Sequence, residues 1–534
     1  MKTKAAGAIA GLAMALSIPA GAATPPEDPA FAAFSDLQAA MASGKASAES
    51  LVKAYLARIA ALNRKGPRLN AVIALNPHAL ADARALDAER KAGHVRGPLH
   101  GIPILLKDNI ETADGTATTA GSLALKDNIT NRDAPLAKRL KDAGAVILGK
   151  TNLSEWANYR STRSISGWSG VGGLVRNPHG LDRSACGSSA GSGAAVAAAL
   201  AAGAVGTETD GSITCPSAIN GVVGLKPTVG LVSRTHVVPI SASQDTAGPM
   251  TRHVADAAAM LTAMAGADPA DPATKDADTH RTDYLKALDA GSLKGARIGV
   301  LRIGAGRQPG ADAVFEKALA SLKAAGATLV EVKAPETDPI GAAEQIVLRT
   351  EFKAGINAYL ASTDPAKVKS RTLADLIAFN SAEPRELALF GQEIFLASQA
   401  GYGLDDPAYL KAKETAKRLA GAEGIDKLLK DNNVEALIAY SGPTGIVDPV
   451  NGTRLLGPPA TLAAVSGYPH LTVPMGDVSG LPVGLSFMGP AWSEARLLSL
   501  GYAFEQATHA RVTPGFAATV ATRPEIVASY DPGR

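Results

Sequence analysis

The stretch that decides the fold runs from Ser184 to Thr228, with the sequence SACGSSAGSGAAVAAALAAGAVGTETDGSITCPSAINGVVGLKPT. It begins with a glycine-rich turn that carries two adjacent serines, Ser188 and Ser189, and continues as a run of small apolar residues that is typical of a tightly packed helix. A second glycine–serine turn, Thr209 to Ser212, follows. Small residues let backbone approach another group closely, so the two turns predict a reactive centre between them.

A lysine lies at the end of an apolar segment further upstream. Residues Ile102 to Leu106 are apolar and predict a strand that is buried on both faces. This strand would place Lys107 at its C-terminal end, where open α/β sheets form their active sites. A lone lysine at such a position ordinarily extends to water. The two serine turns make a catalytic role the better interpretation.

The lysine and the two turns together predict serine hydrolase chemistry. A serine hydroxyl becomes a nucleophile when a base removes its proton, and a neutral lysine can do so if burial lowers its pKa. The backbone N–H groups of Thr209, Asp210 and Gly211, just before Ser212, would form an oxyanion hole. The alternative from the residues alone is that both turns are simple tight loops.

Two other kinds of site are disfavoured. Gly187 to Gly191 matches the G-x-S-x-G turn of α/β-hydrolases, which would make Ser189 the nucleophile of an esterase with a histidine base. That motif needs a hydrophobic strand directly before it, and residues 177–184 are turn formers instead. The nine histidines show no H-E-x-x-H or paired Cys/His spacing, so we expect no metal and no cofactor.

Charge and the N-terminus limit the partners and the location of the chain. The 534 residues carry a formal charge of +3 and no polybasic run, which argues against a nucleic acid or an anionic membrane as partner. Two lysines, an apolar run over residues 5–18 and an A-x-A site at Ala20 to Ala22 predict a signal peptide over residues 1–22. Residues 23–534 would then form a periplasmic or secreted protein without membrane contact after cleavage.

The only two cysteines flank the serine turns. Cys186 lies two residues before Ser188, and Cys215 lies three residues after Ser212. Secretion would allow the two thiols to pair. A free cysteine in an apolar stretch packs as a small hydrophobic residue. We expect two buried free thiols rather than a disulfide.

Strand and helix patterns alternate along most of the chain. The helix-then-strand step over residues 133–148 and the strand–helix–strand unit over residues 297–332 are typical of a doubly wound α/β sheet. Residues from about 340 to 433 are helical in pattern and predict a helical lobe over the sheet. No linker divides the chain, so we expect one large domain of the α/β class.

Beyond these local patterns, the sequence resembles the amidase signature hydrolases from about residue 35 to residue 510. The segments that carry the resemblance are GIPILLKDNI (101–110), TTAGS (118–122), GAVILGKTNLSEWAN (144–158), the stretch from CGSS to LVSR (186–234) and SQDTAGPMTR (243–252). The ETDGSITCP version of the second serine turn is most similar to peptide amidases, which hydrolyse C-terminal peptide amides.

The resemblance implies a catalytic triad of Lys107, Ser188 and Ser212, with a cis peptide bond at Ser188. It also implies a single α/β domain with a large mixed sheet flanked by helices. In the implied mechanism, Ser212 attacks the carbon of a small-molecule or peptide amide. Its proton passes through Ser188 to neutral Lys107 and then to the leaving ammonia or amine, and water hydrolyses the acyl-enzyme.

Two positions depart from many relatives, because Asp210 replaces a glycine and Thr214 replaces an arginine. An arginine at position 214 would suit a substrate that bears a carboxylate. Its absence favours neutral or positively charged acyl groups. The alternatives that remain open are an esterase, an aryl or acyl amidase on the same fold, a transamidation subunit that works with tRNA partners, and a non-catalytic binding protein.

Overall fold

The structure is a computed structural model that describes residues 29–303, 306, 308–442, 445, 447, 460–524 and 526–527. The predicted signal peptide, residues 1–22, lies outside the described residues. Within the described residues the strands are β1 Val72–Leu75, β2 Pro103–Lys107, β3 Val146–Thr151, β4 Trp168–Ser169, β5 Gly173–Leu174, β6 Arg176–Asn177, β7 Gly180–Ser184, β8 Gly203–Glu208, β9 Val223–Lys226, β10 Thr246–Thr251, β11 Arg297–Leu301, β12 Thr328–Val332, β13 Ala436–Ser441, β14 His470–Val478 and β15 Leu481–Met488.

Helices occur along the whole described chain. They are α1 Phe34–Ala42, α2 Ala48–Leu62, α3 Ala79–Lys91, α4 Pro135–Asp142, α5 Ala190–Ala197, α6 Thr214–Ile219, α7 Val254–Met264, α8 Ala277–His280, α9 Pro309–Ala324, α10 Asp338–Ala361, α11 Leu373–Ala382, α12 Glu393–Gln399, α13 Pro407–Ala420, α14 Asp426–Asp431, α15 Thr461–Ser466 and α16 Glu494–Thr508. No helix of the described part combines the length and the apolar character that a membrane crossing requires.

One large mixed sheet forms the centre of the molecule. Its eleven strands lie in the order β1-β3-β2-β8-β10-β9-β14-β15-β13-β11-β12. Strand β2 pairs in parallel with β3 and β8, and β11 pairs in parallel with β12 and β13. The other neighbouring pairs are antiparallel. The predicted α/β class, with a mixed sheet flanked by helices, is confirmed.

The parallel strands β2 and β8 end at the same edge of the sheet, because parallel strands share a direction. All five residues of β2 are buried, as the apolar sequence predicts for a strand covered on both faces. Strand β8 is also buried along its whole length. The C-terminal edge of this pair therefore holds Lys107 from one strand and Thr207 and Glu208 from the other.

Helix α5 packs against this part of the sheet with only small residues. All eight of its residues are buried. A Cβ atom added to Gly191 would lie 2.3 Å from the backbone oxygen of Asn152, and one added to Gly193 would lie 2.8 Å from that of Pro216. Such distances are too short for a side chain, so the glycines allow the serine turn before α5 to approach its neighbours.

Between β12 and β13, every regular element of the described chain is helical. These elements are α10 to α14 and one π-helical turn at Gly421–Ile425. The 24-residue helix α10 packs its Phe352 against Tyr159, with ring centroids 5.1 Å apart. Leu348 and Trp156 belong to the same buried cluster. Helix α10 thus lies beside the loop that follows β3, close to the edge of the sheet where Lys107 ends β2.

Candidate active site

Lys107 ends β2 with its side chain completely buried. Its Nζ atom lies 2.7 Å from Ser188 Oγ, 2.8 Å from Thr207 Oγ1 and 3.2 Å from the Thr207 carbonyl oxygen. Burial lowers the pKa of Lys107 to about 7, although the charges of Asp245 and Glu208 act in the opposite direction. The amine is therefore available in its neutral form near neutral pH.

Ser188 lies in the turn between β7 and α5, and it is also completely buried. The Gly187–Ser188 peptide bond is cis, as the resemblance implies. The Ser188 carbonyl accepts a hydrogen bond of 3.0 Å from the Ser154 backbone N–H. A Cβ atom on Gly187 would lie 2.2 Å from Ser154 Oγ, so only glycine fits before Ser188. The loop after β3 thus fixes the position of this serine.

Ser212 lies in the second turn, directly beside the first. Its carbonyl oxygen accepts a hydrogen bond of 3.1 Å from the Ser189 backbone N–H, which joins the two turns. Glu208 holds the other side of the turn, because its Oε2 accepts from the N–H groups of Ile213 at 2.7 Å and Thr214 at 2.9 Å. Ser212 keeps 8% of its surface exposed, whereas Ser188 has none. A substrate can therefore reach Ser212 more readily.

The residues before Ser212 have the properties of an oxyanion hole. Within the described part of the chain, the backbone N–H groups of Thr209, Asp210 and Gly211 donate to no acceptor. Thr209 Oγ1 donates to Asp245 Oδ1 at 2.6 Å, and Asp210 Oδ2 accepts from Thr461 Oγ1 at 2.9 Å. The side chains are thus held by the surroundings while the backbone donors stay free for a ligand.

Ser189 has a different environment from Ser188. Its hydroxyl donates to the Thr207 carbonyl at 3.1 Å and accepts from the Thr207 N–H at 3.2 Å. In the described residues no histidine forms a hydrogen bond with Ser189. The hydroxyl is therefore used in joining the serine turn to β8. The esterase alternative, which requires a free Ser189 beside a histidine, has no support in this geometry.

The expectation of two free thiols is wrong. Cys186 and Cys215 form a disulfide with an S–S distance of 2.00 Å. Both cysteines are buried and pack with Ile219 in a small cluster. The two cysteines are 29 residues apart in the sequence, and the hydrogen-bonded approach of the two serine turns brings their Cα atoms to 6.0 Å. The bridge therefore joins the chain just before Ser188 to the helix just after Ser212.

A cavity of about 540 Å³ adjoins this group of residues. Thr207 and Thr209 line it on the side of the two turns. Residues 234–235 and 237–242 line it from the loop before β10, and α10 and α13 contribute the far wall. Asn109 and Thr246 also line it, and the buried atoms Asn109 Oδ1 and Thr246 Oγ1 have no partner within the described residues. Its volume is in the range of pockets that bind small molecules.

Three residues of this site are missed by a sequence search for nucleophiles and bases. Thr207 holds Lys107, Glu208 holds the Ser212 turn, and Asp245 holds Thr209. Polar residues at the end of the otherwise small and apolar strand GAVGTE are the signal that points to the first two. In the described part of the chain no group of three His, Cys, Asp or Glu side chains is arranged to hold a metal ion.

Comparison with known proteins identifies the family. The model of the Amidase family matches residues 50–498. The chain belongs to the amidase family. This amidase is 40% identical over 502 residues to a probable amidase of Arabidopsis thaliana, with 91% of this chain and 92% of the relative covered. It is also 37% identical over 443 residues to a glutamyl-tRNA(Gln) amidotransferase subunit of Moorella thermoacetica, with coverage of 80% and 87%.

A solved structure gives a finer comparison. The X-ray structure of the native peptide amidase from Stenotrophomonas maltophilia matches this amidase with a TM-score of 0.86 and 54% identity, covering 92% of this chain and 100% of that one. The resemblance to amidase signature hydrolases, and among them to peptide amidases, is confirmed. The amidase is therefore a hydrolase that acts on the C–N bonds of amides.

The disulfide predicts a specific thiol count. Protein denatured without reductant should show no free thiol, and protein denatured with reductant should show two, by titration with a thiol reagent. The Cys186→Ala/Cys215→Ala double variant should lose about 3 kcal/mol of unfolding free energy in denaturant titration, because the bridge restricts the unfolded chain. Two thiols in denatured, unreduced wild-type protein would contradict the bridge.

Proposed function

We propose that this chain hydrolyses carboxamides to the acid and ammonia by a Ser-Ser-Lys mechanism, with Lys107, Ser188 and Ser212 as catalytic residues. The observation that carries the proposal is the 2.7 Å hydrogen bond between Lys107 Nζ and Ser188 Oγ in a fully buried unit. Burial lowers the pKa of this lysine to about 7, which gives a base that works near neutral pH.

The contacts of Lys107 suit a neutral amine. A neutral amine has two N–H bonds and one lone pair. When the amine is neutral, its two N–H bonds can be directed at the two acceptors of Thr207, its hydroxyl and its carbonyl oxygen, which leaves the lone pair for Ser188 Oγ. Ser188 can then donate its proton to Lys107 and receive one back without a movement of heavy atoms.

The reaction has two halves. In the first, Ser212 Oγ attacks the amide carbon while its proton moves to Ser188 and the Ser188 proton moves to Lys107. The backbone N–H groups of Thr209, Asp210 and Gly211 stabilise the oxyanion, and the proton returns from Lys107 through Ser188 to the departing nitrogen. In the second half, water attacks the acyl-enzyme with the same groups, which releases the acid and restores the Ser212 hydroxyl.

The proposed substrate is a C-terminal peptide amide. Its support is the 54% identity to a peptide amidase and a structure of a peptide amidase with the competitive inhibitor chymostatin, which matches this chain with a TM-score of 0.88. Position 214 is a threonine, and its hydroxyl donates a hydrogen bond to Glu208. Because threonine carries no charge, this position offers no cation to bind a substrate carboxylate. These features favour acyl groups that are neutral or positively charged.

The proposed location is the periplasm or the exterior of the cell. The predicted signal peptide over residues 1–22 supports it. The disulfide between Cys186 and Cys215 supports it independently, because disulfides persist mainly in oxidising compartments.

A second candidate function is transamidation as part of a larger complex. Its support is the 37% identity to the amidotransferase subunit of Moorella thermoacetica. The low formal charge and the predicted signal peptide argue against a tRNA-dependent role. Release of ammonia from a simple amide by the purified chain, without any partner, favours the hydrolase. An absolute requirement for a second protein and tRNA would favour transamidation.

Ser212→Ala should remove hydrolysis while the fold is kept, because no other hydroxyl occupies the nucleophile position. An ammonia assay should show a loss of more than about a hundredfold. Ser189→Ala is the matched control, and its activity should stay far above that of Ser212→Ala because Ser189 only joins the turn to β8. The reverse order of the two activities would identify Ser189 as the nucleophile.

The rate should depend on the protonation of Lys107. Because its pKa is lowered to about 7, the neutral base is lost as the pH falls below that value, so kcat/KM should fall on the acid side and level off above it. Lys107→Arg should be inactive at every pH, because guanidinium stays protonated. Circular dichroism at each pH is the control for folding. A rate that stays constant from about pH 5 to about pH 8 with folded protein would contradict the lysine base.

A short neutral peptide amide should lose ammonia and become the free acid, while its internal peptide bonds stay intact. Mass spectrometry of an amidated peptide after incubation measures both outcomes, and the Ser212→Ala variant is the control. Internal fragments, or faster turnover of carboxylate-bearing amides such as malonamate, would contradict the peptide amide assignment without affecting the proposed catalytic residues.

A further inference from the structure

Asp245 lies directly before β10 and faces the turn that carries the proposed oxyanion hole. Its Oδ1 accepts a hydrogen bond of 2.6 Å from Thr209 Oγ1. Its Oδ2 accepts from the backbone N–H groups of Ile240 at 2.7 Å and Ser241 at 2.9 Å. Among the described residues no cation lies within salt-bridge distance of Asp245. The direct contacts of this carboxylate therefore come from neutral N–H and O–H donors.

The loop that contains Asp245 is held from its other side by α10 and α13. Glu351 on α10 accepts hydrogen bonds of 2.5 Å from both Ser241 Oγ and Ser243 Oγ. Tyr409 on α13 donates to the same carboxylate at 2.6 Å. Asp245 is thus a fixed point between the helices and the Thr209 turn, and not a side chain on a free loop.

We propose that Asp245 is a positioning residue of the hydrolysis, which fixes Thr209 in the oxyanion turn through the hydrogen bond that it accepts from the Thr209 hydroxyl. The inference rests on the proposed function of Lys107 and of the turn. Through Thr209, the carboxylate orients the backbone donors that receive the oxyanion. Through its charge, it favours the protonated form of Lys107, which forms during attack by Ser212.

Two cations that line the same cavity as Asp245 are paired with other carboxylates. Arg234 pairs with Asp271 at 2.6 Å, and Lys413 pairs with Glu351 at 3.3 Å. Glu208 is the second carboxylate whose charge raises the pKa of Lys107. Burial raises the pKa of Asp245 above its ordinary value, and its ionised form in turn raises the pKa of Lys107. Loss of the Asp245 charge should lower the pKa of Lys107 and move the acid limb of the rate profile to lower pH.

Three variants separate positioning from charge. Asp245→Asn removes the charge and should lower kcat about tenfold, the scale of one hydrogen bond to a charged group, and shift the acid limb to lower pH. Thr209→Val removes only the hydroxyl, so it should lower kcat and leave the acid limb in place. Asp87→Asn is the control, because Asp87 on α3 also accepts from two backbone N–H groups, those of Ala48 and Glu49, but lies away from the cavity; it should change neither quantity.

The measurement is kcat for ammonia release across pH, with thermal unfolding of each variant. Equal kcat and equal acid limbs in Asp245→Asn and Asp87→Asn would overturn the inference. If Asp245→Asn does not fold, Thr209→Val and Thr209→Ser carry the test. A higher kcat in Thr209→Ser than in Thr209→Val supports a role for the hydrogen bond from the hydroxyl of residue 209 to Asp245. Equal kcat in these two variants would overturn that role. An active Ser212→Ala protein would instead refute the proposed function itself, so the two failures are distinguishable.

Discussion

The removal of the Lys107 amine from water is the constraint on which the site depends. Desolvation lowers the pKa of this lysine to about 7 against the charges of two carboxylates, so burial is the dominant effect. The burial comes from the apolar strand β2, which ends inside the protein instead of at its surface. A lysine with the same neighbours but open to water would be a cation at neutral pH and could not accept a proton from Ser188.

Small residues make the rest of the arrangement possible. The serine turn must come within hydrogen-bond distance of the end of β2, of β8 and of the Ser212 turn at the same time. Gly187, Gly191 and Gly193 each lie where a Cβ atom would collide with a neighbour. The alanine-rich helix α5 then fills the space against the sheet without side chains that would push the turn away. The glycine- and alanine-rich composition of this stretch is therefore required for the close packing of the serine turn and α5 against the sheet.

Much of this could be predicted from the sequence, because local patterns determine it. The buried strand before Lys107, the α/β alternation and the two serine turns are readable from a few neighbouring residues. The Cys186–Cys215 bridge and the contact from Asp245 to Thr209 could not be predicted in this way, since each depends on turns that meet only in the folded chain. The distinction between Ser188 and Ser189 likewise depends on contacts to Lys107 and Thr207, and in the sequence only the family resemblance supplies it.

A buried lysine base also requires that nearby carboxylates do not pair with it. A direct ion pair would raise the pKa of Lys107 and remove the base. Glu208 accepts from the N–H groups of Ile213 and Thr214, and Asp245 accepts from Thr209 and from two backbone N–H groups. Each carboxylate is thus stabilised by neutral donors and acts on Lys107 only through space. The amine can then be neutral before the reaction and a stabilised cation while the proton is held, which is what reversible proton transfer requires.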